Sequence, residues 1–205
     1  MRLKREFYAR DTEVVARELL GKILVYNDGK NLYRGKIVET EAYTNKDDDA
    51  AHFSKGLTDR TRVMDKIGGH LYIYTIYGIY ECMNIVGEKE GVHGGTLIRG
   101  IEPLESIEAM YKNRYKREYE NPKKRELINL SNGPAKLVMA YGITKKEFYG
   151  RDLVNDKSIW LEDGEKLDEN DIVETTRINI DYAEKGKDYL LRFYIKDNPF
   201  VSKKI

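Results

Sequence analysis

Two carboxylates in the β-rich stretch LYRGKIVETEAY are the first candidates for chemistry. Glu39 and Glu41 stand two positions apart, and since side chains alternate between the faces of a strand, both project from one face together with Tyr43. A carboxylate held there could take a proton from water or stabilise a developing positive charge. Two ordinary acids on a solvated strand face explain the alternation more simply. The opposite face is small and mostly apolar and is expected to face the core: Val38, Thr40 and Ala42.

A hairpin, LYIYTIYGIYECMN, is predicted around Tyr77 and Gly78, and both of its faces are largely apolar or aromatic. One face could pack on the core while the other meets a partner. The tip, Ile76–Tyr80, would then offer apolar wedges of the kind that enter a minor groove and unstack a base step. A central strand pair buried on both sides explains the same pattern. Tyrosine beside glycine at a tight turn favours an exposed tip.

A long polar segment, TNKDDDAAHFSKGLTDRTR, separates the second predicted strand from this hairpin. Long ordered loops in compact domains tend to be functional. The segment contains His52, and four cations that follow it outnumber the acids Asp59 and Asp65 by two, so they could contact phosphates. These cations are Lys55, Arg60, Arg62 and Lys66. A solvated loop explains the same charges.

The thiol and imidazole content argues against a metal or redox site. Cys82 is the only cysteine, which rules out an intramolecular disulfide and any site built from several thiolates. The three histidines have neither zinc-protease nor zinc-finger spacing, and no glycine motif for nucleotide phosphates occurs. We therefore expect neither a metal nor a cofactor.

Charge is abundant but balanced in this chain of 205 residues, with 36 lysines and arginines against 35 acids. Contact with a polyanion must therefore come from local basic clusters. The 16 tyrosines suit stacking on nucleic-acid bases, although tyrosine is also a good strand former. The first 20 residues carry charges throughout, so neither a signal peptide nor a membrane span is expected, and the cytoplasm is the expected compartment.

The elements that must position these residues are predicted to form one α+β domain over residues 1–205. Asp11 and Gly21 delimit a helix at 12–20, Pro134 and Gly142 delimit another, and a third is predicted at Ile107–Arg117. Strands are predicted in KILVYND, LYRGKIVETEAY, both arms of the hairpin, GTLIRGIEPL, SIWLED, IVETTRINI and YLLRFYIK. A mixed, mostly antiparallel sheet flanked by helices is the expected architecture.

Five segments occur in a fixed order: VETEAY with the AAH that follows it, LYIYTIYGIYECMN, TLIRGIEPLE, SNGPAKL and LRFYIKDNPFVS. Together they closely resemble the alkyladenine (3-methyladenine) DNA glycosylase family, and the similarity runs from about Glu13 to the end of the chain. The resemblance implies a single domain with a curved antiparallel sheet and a protruding β-hairpin. It also implies base excision from double-stranded DNA without metal or cofactor, by a protein expected to act as a monomer in a prokaryotic cytoplasm.

The resemblance assigns roles residue by residue. The general base falls on Glu41, and Arg99 and the backbone carbonyl of Ile178 help it to hold the water. The other assigned residues stack on the flipped base (Tyr43, His52 and Tyr74), screen the purine edge (Asn84), enter the DNA helix (Tyr77 with Ile79) and contact phosphates (Arg60, Arg62 and Lys136). Ile79 stands where mammalian members carry methionine, and the loop between His52 and Arg60 differs in length by one residue.

The implied function is that of a monofunctional glycosylase that hydrolyses the N-glycosidic bond of an alkylated or deaminated purine. It leaves an abasic site, because no lysine falls on a nucleophile position. A catalytically silent DNA-damage binding protein could use the same hairpin, but Glu41 and Arg99 argue against it. An RNA-binding or purely structural β-domain would explain the tyrosines, but not the joint placement of Glu41, Arg99, His52 and Asn84.

Overall fold

One sheet of eight strands organises the chain, whose computed structural model describes residues 1–205. The strands are β1 (Ile23–Asn27), β2 (Leu32–Tyr43), β3 (Leu71–Ile76), β4 (Tyr80–Val86), β5 (Gly95–Glu105), β6 (Ile159–Glu162), β7 (Ile172–Thr175) and β8 (Arg192–Ile195). Their order is β3-β4-β5-β2-β1-β6, and β8 pairs with both β2 and β7. Every strand pair is antiparallel, so the predicted α+β architecture with a mostly antiparallel sheet is confirmed.

Six short helices flank the sheet. They are α1 (Arg5–Tyr8), α2 (Thr12–Glu18), α3 (Ile107–Tyr115), α4 (Lys124–Ile128), α5 (Pro134–Tyr141) and α6 (Lys145–Phe148), with 3-10 turns at Arg62–Asp65, Glu169–Asp171 and Gly186–Asp188. The predicted signals act as expected: the Asp11 carboxylate accepts the Glu13 backbone N–H at 3.0 Å, and Gly142 ends α5 with a φ of +67°.

The main core lies between the sheet and helices α2, α3 and α5. Buried side chains from each helix join those of the strands in one cluster of 29 residues. Its members include Val15 of α2, Met110 of α3, Val138 of α5 and Ile98 of β5. This core faces one side of β2 and β5, so the other side of the two strands is free to carry polar groups.

The long pairing between β2 and β5 is interrupted where the polar groups begin. The paired positions run Ile37 with Ile101, then Glu39 with Gly100, then Thr40 with Ile98. One residue is therefore bypassed on each strand, Val38 on β2 and Arg99 on β5. Such bulges bend a strand and redirect its side chains.

The bulge at Val38 changes which residues of β2 face the main core. Ile37 and Ala42 both belong to that core although an odd number of positions separates them. Val38 packs instead with Tyr194 and Val201 in a separate small cluster. The prediction that Val38 faces the same core as Ala42 is wrong, because the bulge reverses the alternation at that point.

The β-rich stretch that starts at Ile172 was expected to continue as a strand to Ile180 but leaves the sheet after Thr175. Beyond it, Arg177 makes a two-pronged ion pair with Asp48, with both N–O distances 2.7 Å and both side chains fully buried. The same guanidinium donates to the carbonyl of Ala42 at 2.8 Å. The pair therefore ties the loop after β2 to the segment after β7.

Replacing Asp48 by asparagine should lower the free energy of unfolding by about 3 kcal/mol, since it leaves a buried guanidinium without a counter-charge. Urea denaturation measures the loss. The matched control is Asp47→Asn, because Asp47 pairs with Lys185 on the surface, where both side chains are mostly exposed. Equal losses for the two variants would mean that burial adds nothing to the Asp48–Arg177 pair.

Candidate active site

A cavity of about 420 Å³ opens on the polar side of β2 and β5, between the hairpin, the loop after β2 and the segment after β7. Seven of the residues singled out in the sequence line it: Tyr43, His52, Tyr74, Tyr77, Asn84, Arg99 and Ile178. Residues separated by more than a hundred positions thus meet at one site. Glu41 lies directly behind this wall, bonded to three of the lining residues.

The Glu41 side chain is completely buried and saturated with donors on one oxygen. Its Oε2 accepts the Tyr43 hydroxyl at 3.0 Å and Arg99 Nη1 at 3.2 Å, and its Oε1 accepts the Ile178 backbone N–H at 2.7 Å. Glu39 is equally buried. The interpretation of these acids as a solvated strand face is therefore wrong, because neither carboxylate reaches solvent.

Ile178 meets Glu41 through its amide rather than its carbonyl. The amide reaches the carboxylate because Arg177, one residue earlier, is fixed by Asp48. A water contact by the Ile178 carbonyl stays a prediction.

Arg99 links the two buried carboxylates. Its Nε lies 3.3 Å from Glu39 Oε1, while its Nη1 reaches Glu41. Burial by itself would lower the pKa of Arg99, but the negative charges of Glu41 and Glu39 outweigh that effect and raise the pKa above its usual value. The guanidinium is therefore charged at every working pH.

Aromatic rings form much of the wall of the cavity. His52 stands edge-on to Tyr74 with ring centres 4.6 Å apart, and its Nδ1 lies 3.0 Å from the Tyr72 hydroxyl. His52 keeps part of its surface exposed, yet burial, together with the positive charge of Arg60, lowers the pKa of its imidazole to about 4. Burial likewise raises the pKa of Tyr74. At neutral pH these rings carry no charge.

Tyr43, another wall residue, is supported from outside the cavity. The Arg177 guanidinium stacks on its ring, 4.6 Å from the centroid. Sequence reasoning missed both Arg177 and its partner Asp48, because nothing local distinguishes them from surface charges. It also missed Tyr72, which alternation could have found, since Tyr72 lies two positions before Tyr74 on the same face of β3.

Asn84 contributes a polar side chain to the lining of the cavity. It lies on β4 opposite Tyr72, and its Nδ2 donates to the Tyr72 carbonyl at 3.2 Å. This bond fixes the orientation of an amide that is nearly fully buried. The side chain can therefore present a fixed hydrogen-bonding edge to a guest.

The hairpin tip projects from the protein. Tyr77 is 84% exposed and Ile79 is 72% exposed. Tyr77 and Gly78 have φ angles of +51° and +71°, and the Ile79 N–H donates to the Ile76 carbonyl, which makes a tight two-residue turn. The base of the hairpin, Leu71–Ile73, is buried. The buried-pair interpretation thus holds for the base and is wrong for the tip.

The three cations assigned to phosphates differ in their surroundings. Arg60 is exposed, and its positive charge helps to lower the pKa of His52. Arg62 is paired with Asp59 at 2.6 Å on the surface. Lys136, in the first turn of α5, donates to Asn side chains at 129 and 132, and burial lowers its pKa.

No cluster of three or more histidine, cysteine or acidic side chains is placed to hold a metal ion. Cys82 is buried at the cavity wall, and burial raises the pKa of its thiol to about 11. None of the helices combines the length and hydrophobicity that crossing a bilayer would demand.

Comparison with known proteins gives one consistent result. The family model for methylpurine-DNA glycosylase matches residues 6–199. A protein of Clostridium perfringens, provisionally named 3-methyladenine DNA glycosylase, is 52% identical over 206 residues, the full length of both chains. Proteins with the same provisional name from Clostridium novyi and Alkaliphilus oremlandii are 50% identical over 99% of both chains and 47% identical over 100% of both chains, respectively. The predicted resemblance is confirmed, and this chain belongs to the methylpurine-DNA glycosylase family.

Proposed function

We propose that this protein is a monofunctional DNA glycosylase that flips an alkylated or deaminated purine of the 3-methyladenine type out of double-stranded DNA and hydrolyses its N-glycosidic bond. The observation that carries the proposal is a buried carboxylate, Glu41, held by three donors behind the wall of an aromatic cavity. Family membership and the names of the relatives agree with it. The protein acts as a monomer on the DNA of a prokaryotic cytoplasm and needs no cofactor.

The cavity suits a flat cationic guest. A base inside a duplex is out of reach of a hydrolytic water, so the nucleotide must rotate out before reaction. An alkylated purine carries positive charge and prefers the electron-rich faces of Tyr43 and Tyr74. Because His52 is neutral at physiological pH, it can contact the guest without repelling it. Asn84 then meets the purine edge and screens it.

Glu41 has one acceptor position left for the attacking water. A carboxylate offers about two lone-pair positions on each oxygen. Oε2 uses both, for Tyr43 and Arg99, while Oε1 uses one, for the Ile178 N–H. The remaining position on Oε1 is where we place the water, with the Ile178 carbonyl as a further contact.

For a cationic alkylated purine, the reaction then balances without an additional acid. A neutral deaminated purine also needs a proton on the leaving base. Water oxygen forms a bond to C1′ of the sugar as the bond from C1′ to the purine nitrogen breaks, and its electron pair leaves with the base. The sugar has oxocarbenium character at this point, which the negative charge of Glu41 stabilises. Glu41 accepts the proton of the water. A cationic base departs as a neutral molecule, and an abasic site with an intact strand is left.

The exposed hairpin tip and the nearby cations act on the DNA itself. Tyr77, with Ile79 beside it, fills the gap that the flipped nucleotide leaves. Arg60, Arg62 and Lys136 contact phosphates, for which Arg62 must exchange its partner Asp59. A binding protein without catalysis would need this tip, but it would gain nothing from the buried pairing of Glu41 with Arg99.

Replacing Glu41 by glutamine should preserve lesion binding and slow base release by about 10²- to 10⁴-fold, because the amide keeps the shape but cannot accept the proton of the water. Single-turnover excision and binding to the same duplex measure the two steps. The matched control is Glu162→Gln, which removes a carboxylate of β6 that pairs with Arg34 of β2, outside the cavity. Near-normal excision by the Glu41 variant would remove this residue from the mechanism.

The His52 imidazole should titrate with a midpoint near pH 4, because burial and Arg60 both disfavour its charged form. The ordinary value for histidine is about 6.5. A pH titration of the ring resonances by NMR, assigned with a His52→Gln variant, measures the midpoint. A midpoint at the ordinary value would mean that His52 is positively charged through part of the physiological range, against the role given to it here.

Replacing Tyr77 by serine should barely change the melting temperature, because an exposed side chain contributes little burial. Excision of a paired lesion should fall by roughly one to three powers of ten. Unstacking the flipped base costs a few kcal/mol, which the Tyr77 side chain offsets when it fills the gap. The loss should shrink for lesions opposite a mismatch or in a single strand, which therefore serve as controls. An equal loss on all substrates would place the action of Tyr77 outside flipping.

A further inference from the structure

Glu39 is a second buried carboxylate to which the proposed reaction gives no task. It is fully buried and does not line the cavity. Its Oε1 accepts Arg192 Nε at 2.7 Å, the Ser202 hydroxyl at 2.9 Å and Arg99 Nε at 3.3 Å, and its Oε2 accepts the Ser202 backbone N–H at 2.6 Å. Isolated buried charges are expensive, so this carboxylate depends on all of these partners.

Four charged groups form what we call the buried ion network: Glu39, Glu41, Arg99 and Arg192. Two negative charges face two positive charges, so the network is neutral as a whole. Arg99 is the member that contacts both carboxylates, through Nε on one edge and Nη1 on the other. Two anchors on different edges fix the plane of a guanidinium, whereas one anchor would leave it free to turn.

The C-terminal residues hold Glu39 from the side away from the cavity. Ser202 gives it two hydrogen bonds, and Arg192 also donates to the carbonyl of Lys203. Val201 is buried with Val38, the bulged residue directly before Glu39. The tail is therefore packed against the network and is not a loose extension.

We infer that Glu39 is a positioning residue for catalysis: it aligns Arg99 toward Glu41, and Ser202 and Arg192 hold it in place. The inference rests on the proposed function, in which Glu41 activates the water and Arg99 supports it. A purely structural ion cluster is the competing explanation. It predicts a loss of stability without a specific dependence on Arg99.

The test is a double-mutant cycle of Glu39→Gln and Arg99→Lys. Lysine has a single charged tip and cannot span two carboxylates, so Arg99→Lys removes the link that Glu39 serves. Glu39→Gln keeps the volume and should slow single-turnover excision by about 10- to 100-fold, as expected for a small misplacement near the reacting atoms. In the Arg99→Lys background, Glu39→Gln should slow excision hardly any further, because the guanidinium through which Glu39 acts is already absent.

A duplex carrying a 2′-fluoro lesion nucleotide, which resists hydrolysis, measures binding separately. Glu39→Gln should leave this binding unchanged within about twofold, since Glu39 lies outside the cavity wall. Ser202→Ala removes the hydroxyl bond to Glu39 and the 3.5 Å contact of that hydroxyl with Arg99 Nη2, and it should slow excision by about two- to fivefold. Glu162→Gln is again the matched control and should excise at the wild-type rate.

Wild-type excision by Glu39→Gln, or losses that multiply in the double variant, would overturn the inference. If Glu39→Gln does not fold, as its melting temperature will show, Arg192→Lys takes its place in the cycle, because Arg192 contacts Glu39 but makes no hydrogen bond with Arg99. The same two outcomes then decide. A wild-type protein that releases no base from any alkylated duplex would contradict the proposed function and the inference together. If the wild type releases the base and Glu39→Gln excises at the wild-type rate, the inference alone is overturned.

Discussion

The pairing of buried carboxylates with buried guanidinium groups is the constraint around which this protein is built. Glu39 and Glu41 have no exposure to solvent, and each would be strongly destabilising without its donors. Those donors come from β5, β8, the segment after β7 and the C-terminal tail, through Arg99, Arg192, Ile178 and Ser202. Loss of any one of these donors would leave a buried charge without a partner, so the distant segments must fold together.

The sheet is shaped to meet that demand. β2 pairs with β1 over its first half and with β8 around Glu39–Glu41, so the strand passes from one neighbour to another where the charges lie. Bulges at Val38 and Arg99 turn the polar side chains away from the main core at the same place. Apolar packing on one face and a charged network on the other can then coexist in one pair of strands.

The cavity in front of the network has a different character. Its aromatic rings are neutral at physiological pH. The charged groups are Arg99, which reaches the cavity wall, and Glu41 behind it, and both are held by hydrogen bonds. Donors that are fixed before the substrate arrives need no reorganisation during the reaction, which is how preorganised electrostatics lowers a barrier.

The sequence by itself determined the local features and the family. Alternation placed Glu39, Glu41 and Tyr43 on one face of a strand, and Tyr77 beside Gly78 at an exposed turn, because these properties depend only on neighbouring residues. The order of five segments identified the relatives. Helix limits at Asp11, Pro134 and Gly142 followed from capping chemistry.

The tertiary structure decided what surrounds each of these residues. Three features depend on contacts between residues more than a hundred positions apart. They are the burial of Glu41, the pairing of Arg177 with Asp48, and the hydrogen bonds from Ser202 to Glu39. No local pattern encodes such contacts, since a glutamate on a solvent-exposed strand and a glutamate inside a buried ion network can have the same neighbours in sequence. The bulges added a second reason, because one bypassed residue reverses the alternation from which the faces of β2 were inferred.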